Sequence, residues 1–61
     1  MNTDRVDELL AYKGQTRQWL AGQIGVSPGQ LTKMLNGTRT MLPAVEQHIS
    51  EALEVPQEWL R

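Results

Sequence analysis

The sequence predicts an all-α domain, and three observations carry that prediction. Apolar residues recur at helical spacing in successive stretches, and no stretch alternates with period two for long enough to form a strand. Pro28, Pro43 and Pro56 each stand at the start of a predicted helical segment, where a missing N–H costs nothing. Gly14, Gly25 and Gly37 follow the apolar runs as helix stops. A chain of 61 residues makes one domain with a thin core. It has no cysteine and one histidine, so neither a disulfide nor a closed zinc site can staple it. Helix packing, dimerisation or a partner must stabilise it instead. No apolar run approaches the ~20 residues that span a bilayer, and the N-terminal residues lack the basic-then-apolar pattern of a signal peptide.

The first helix is predicted over 4–13. Thr3 is its expected N-cap, and Asp4 complements the helix dipole. Val6, Leu9, Leu10 and Lys13 make its stripe. Thr16 caps a second helix over about 17–24, whose inward face is Leu20, Ala21 and Ile24. An interior glycine costs roughly 1 kcal/mol against alanine, so Gly22 is expected to serve close packing or close approach. Trp19 is expected to pack on the first helix near Tyr12. Ser27 caps a third helix over about 28–36, with Pro28 first and Leu31, Met34 and Leu35 on its apolar side. Thr38 to Leu42 form a loop. A fourth helix over 43–54 carries Val45, Ile49, Ala52 and Leu53. Pro56 opens a short fifth helix anchored by Trp59 and Leu60.

Charge singles out the middle of the chain. Between Glu8 and Glu46 there is no acidic residue, and Lys13, Arg17, Lys33 and Arg39 all fall in that interval. The net charge of -1 argues against a generic nucleic-acid binder, but its distribution predicts one positive face and one negative face. The second and third helices, joined by a tight turn at residues 25–27, match the packing demands of a helix-turn-helix. Ala21 is small where the next helix crosses. Gly25 tolerates positive φ in the turn. Ile24, Val26, Leu31 and Met34 fill the angle between the helices.

The run LAGQIGVSPGQLTKMLNG, followed by TRT and later by ISEALEVPQEWL, resembles the Cro/C1 (XRE-type) phage repressors and their bacterial relatives. The resemblance covers nearly the whole chain. It implies a compact five-helix helix-turn-helix domain of the phage-repressor type over residues 1–61. It also implies a cytoplasmic, nucleoid-associated regulator that binds an operator in double-stranded DNA as a homodimer and represses transcription. The third helix would then enter the major groove. By position, the base-facing candidates are Pro28, Gly29, Gln30, Thr32 and Lys33. The phosphate candidates are Arg17, Gln18, Ser27, Asn36, Thr38, Arg39 and Thr40. Val55, Trp59 and Leu60 are the dimer candidates.

Lys33 can donate to guanine O6 and N7, and Thr32 can touch a thymine methyl. Relatives often carry Gln, Arg or Ser where this chain has Pro28 and Gly29, which offer no side-chain donor. Readout is therefore expected to rest on Lys33, Thr32 and Gln30, together with DNA shape. The alternative is a protein-interaction module, such as an antitoxin or an adaptor that has lost operator binding. His48, one turn from Glu51, has no nucleophile or further ligand beside it. No metal, cofactor, small-molecule ligand, membrane or enzymatic activity is expected.

Overall fold

Short polar side chains start the first three helices. The Asn2 side chain accepts from the Arg5 N–H (3.1 Å), Thr16 from Trp19 (3.1 Å) and Ser27 from Gln30 (3.2 Å). The computed structural model, which describes residues 1–61, has α1 over Thr3–Lys13, α2 over Arg17–Ile24, α3 over Pro28–Leu35 and α4 over Pro43–Leu53. It has no strand. The α4 helix has no side-chain cap and begins at Pro43, whose nitrogen carries no hydrogen to satisfy.

The expected fifth helix is a single 3-10 turn, Gln57–Leu60. Pro56 sets its start, and Gln57–Leu60 close as one tight turn, the short form in which 3-10 helices usually occur. The architecture is thus four α-helices and a terminal turn, rather than five helices. The expected α4 boundary also moves, because Glu54 leaves the helix with a left-handed φ of 59°.

Thr3 is not the cap of α1. Asn2 takes that role, which leaves the Thr3 hydroxyl inside the helix to donate to the Leu35 carbonyl at 2.6 Å. Leu35 ends α3, where carbonyls lack intrahelical partners, so the bond satisfies one of them and joins α1 to α3. The pairing of Trp19 with Tyr12 is also absent. Trp19 is half-buried against the core, whereas Tyr12 is 91% exposed and cannot stack on it.

Every element contributes to one core. Val6 and Leu10 come from α1, Leu20 and Ala21 from α2, and Leu31, Met34 and Leu35 from α3. Ile49 and Leu53 come from α4, and Leu60 from the 3-10 turn. Fully burying one such aliphatic side chain stabilises the fold by about 1.5–3 kcal/mol. The α2 helix lies at the centre, packed on both α3 and α4. The terminal turn packs on α1 and α4, and the Asn2 N–H donates to the Leu60 carbonyl, tying the two ends of the chain together. The radius of gyration is 10.1 Å, close to the ~10.5 Å expected for a folded chain of this length. No helix is long and apolar enough to cross a membrane.

Candidate nucleic-acid interface

The geometry of the α2–α3 unit follows from the turn between its helices. Gly25 adopts φ 79°, a conformation that a Cβ would strain. It lets the N–H groups of Gly25 and Val26 both donate to the Ala21 carbonyl, at 2.9 and 3.1 Å. Ala21 is fully buried, and Ile24 and Val26 are half-buried beside it. The α3 helix is therefore held by its inner side, through Leu31, Met34 and Leu35. Its outer side presents Pro28, Gly29, Gln30 and Lys33 to solvent, with Thr32 half-buried at the edge.

The segment after α3 folds back on the helix. The Thr38 and Arg39 N–H groups both donate to the Lys33 carbonyl, at 3.0 and 3.2 Å. Two residues six apart in sequence, Lys33 and Arg39, are thereby brought to the same end of α3. Cations there also complement the helix dipole. Asn36, Thr38 and Thr40 stand exposed around them.

The four cations of the acid-free stretch divide into two pairs. Lys13 lies 3.6 Å from Glu54. Arg17 grips Asp7 with two bonds: Nε to Oδ1 at 2.9 Å and Nη2 to Oδ2 at 2.8 Å. That bidentate hydrogen bonding, aided by the opposite charge, holds the Asp7 carboxyl below its usual value and raises the Arg17 guanidinium above its own. Lys33 and Arg39 have no carboxylate within 4.0 Å.

Asp7 was missed in the sequence. It lies ten positions from Arg17 on a different helix, so no local periodicity relates the two. Gln18 is exposed at the start of α2. The Ser27 oxygen is occupied by the helix cap, but its hydroxyl hydrogen is still available to a phosphate.

Gly22 is not explained by packing within the chain, because an added Cβ would meet nothing within 4 Å. It faces a shallow depression of about 500 Å³ between α2 and α4. The dimer candidates separate as well. Leu60 is 2% exposed and cannot present a surface to a second copy. Val55 is half-buried, while Trp59 is 50% exposed, with the Arg5 guanidinium 6.0 Å from its ring centroid.

Comparison with protein-family models, curated proteins and solved structures gives no match. The site is therefore read from its own chemistry: an exposed helix face with neutral polar groups, ending in two adjacent unpaired cations.

Proposed function

We propose that this chain is a DNA-binding transcriptional regulator of the repressor type, in which α2 and α3 act as a helix-turn-helix. On this reading α3 enters the major groove, and a protein seated on an operator blocks polymerase by occlusion. The observation that carries the reading is the adjacency of Lys33 and Arg39 on the outward end of α3, both without an acidic partner. A helix face that buries Leu31, Met34 and Leu35 while exposing Gln30 and Lys33 has the polarity that a groove-reading helix needs. Lys33 is assigned to a base edge or the adjoining phosphate, and Arg39, Thr38 and Asn36 to the backbone.

The test is a mobility-shift titration at low salt against random duplex, followed by selection of bound sequences from a random pool. Retardation and an enriched half-site are expected. Lys33→Ala should cost roughly 1–3 kcal/mol on the selected site and relax the preference at one position. The absence of a retarded band at high protein concentration would turn the reading to the rival, a protein-interaction module. Pro28 and Gly29, which bring no side-chain donor to the groove, fit that rival.

A further inference from the structure

Asparagine is a thermolabile side chain, and the fold treats its two asparagines, Asn2 and Asn36, in opposite ways. The Asn2 side-chain oxygen is fixed by the α1 cap, and Thr3 after it is held in the helix and bonded to Leu35. Asn36 stands just past the end of α3, exposed, and its side chain takes part in no hydrogen bond. Gly37 follows it, exposed and at φ 80°, and a Cβ built there would meet nothing within 4 Å. No side chain of its own shields the Gly37 nitrogen. Its N–H is held only by the Met34 carbonyl at 3.2 Å, in the last turn, where helices fray.

We propose that Asn36 is a self-modifying site: the Gly37 nitrogen converts it to aspartate and isoaspartate, and the new carboxylate discharges the positive end of α3. The Gly37 nitrogen gives its proton to water and attacks Asn36 Cγ, closing a five-membered succinimide. The Cγ–Nδ2 bond breaks, and that nitrogen leaves as ammonia with the proton. Water then opens the ring. Opening at Cγ gives aspartate, and opening at the backbone carbonyl carbon gives isoaspartate, whose chain runs through Cβ. The sum is water in and ammonia out, with nothing oxidised or reduced. At the Asn36 ψ of -6° the Gly37 nitrogen is turned away from Cβ, so the attack needs a backbone rotation. The open space around Gly37 leaves that rotation unopposed.

The neighbours of Asn36 give the change its effect. Lys33 is three positions back on the helix end, a spacing at which side chains meet. The fold-back sets Arg39 at the same place. A carboxylate at position 36 pairs with one of these cations and opposes the α3 dipole. It adds one negative charge to a chain whose net charge is already -1. The isoaspartate form also lengthens the backbone at the turn that brings the Thr38 and Arg39 N–H groups to the Lys33 carbonyl. On the DNA-binding reading, on which this consequence rests, the molecule loses its hold on duplex as it ages.

Incubation of the folded full chain at mildly alkaline pH, followed by peptide mapping with mass spectrometry, tests the chemistry. The peptide holding Asn36 should gain close to one mass unit, the difference between OH and NH2, and resolve into two isomers. The rate should rise with pH, because the attacking nitrogen must lose its proton. Asn2 should stay unchanged over the same interval. Asn36→Gln, whose extra methylene disfavours the ring, should stay unmodified. An unchanged Asn36, conversion only in denaturant, or equal conversion at Asn2 would overturn the site. Fluorescence anisotropy on random duplex then compares fresh protein, purified aged protein and Asn36→Asp. The slope of log affinity against log salt should flatten from about -2 to about -1 in the last two. Equal slopes would overturn the discharge of α3. Failure of fresh protein to bind duplex would overturn the proposed function alone, because the mass change at Asn36 is read without DNA.

Discussion

Arg17 shows how one side chain can be asked to do two things. Its position at the start of α2 suits a phosphate contact, yet the Nε–Nη2 edge of its guanidinium is spent on Asp7. The pair is partly exposed, at 31% for Arg17 and 46% for Asp7, so solvent screening limits its worth to roughly 0.2–1 kcal/mol. The folded-state pKa of Asp7 is lowered. The stabilisation is therefore fully present above the unfolded carboxyl value of about 3.9 and is lost as pH falls through the folded value. Asp7→Asn should remove that part of the acid destabilisation. The difference in melting temperature between near-neutral and strongly acidic buffer should be smaller in the variant than in the parent, and an equal difference would mean that the pair is inert. The same variant releases Arg17 and deletes a negative charge, so it should raise affinity for random duplex at low salt by a few-fold. A fall in affinity would place Arg17 outside the interface. Gly22 makes a different point. With nothing within 4 Å of an added Cβ, Gly22→Ala should stabilise the fold by up to about 1 kcal/mol through helix propensity. A lower melting point would contradict the open geometry. A higher one with weaker DNA binding would mean that the backbone at Gly22 is approached by the ligand.

Within single elements, sequence and structure agree most closely wherever a local rule decides. The Thr16 and Ser27 caps, the stop at Gly25 and the inward stripes of α1 to α4 all follow from groups within a few residues of one another. The α2–turn–α3 packing residues were legible for the same reason. Contacts between elements were not. Thr3 carries a cap residue's chemistry, but Asn2 precedes it and takes the cap, and the hydroxyl finds Leu35 across 32 positions. No spacing rule anticipates that bond, nor the fold-back that sets Arg39 beside Lys33. The divided loyalties of the four central cations were equally hidden, because both acids that claim them lie outside the acid-free stretch. The Thr3 bond should matter to α3 in particular. Thr3→Val keeps the shape and leaves the Leu35 carbonyl without its partner, at a cost of about 1 kcal/mol. A domain of this size should then melt roughly 4–8 °C lower. A melting point within a degree of the parent would show that the Leu35 carbonyl is satisfied by water instead.

Size and charge together limit what the whole molecule can do alone. Its longest dimension is 25 Å, shorter than the ~34 Å between successive half-sites on one face of the duplex. One copy can thus occupy one half-site and no more. Its net charge of -1 gives no general attraction to DNA, and the acids of α4 and the terminal turn add a repulsive side. On the proposed DNA-binding reading, the phosphate contacts fall to Lys33 and Arg39, the two cations of the central stretch that no carboxylate holds. Two neutralised phosphates per copy give a slope of about -2 in log affinity against log salt. Between about 50 and 200 mM salt, a duplex with one half-site should then lose roughly tenfold in affinity. A duplex with two half-sites in two-fold arrangement should show about twice that slope and lose on the order of a hundredfold, because two copies are recruited. Fluorescence anisotropy on the two duplexes reads both slopes directly. A slope near zero on either would mean that Lys33 and Arg39 do not meet phosphate. Equal slopes would mean that a single copy binds each duplex. A slope near -3 on the single half-site would mean that Arg17 leaves Asp7 for the backbone, which makes the α1–α2 ion pair the resting state of a contact that DNA completes.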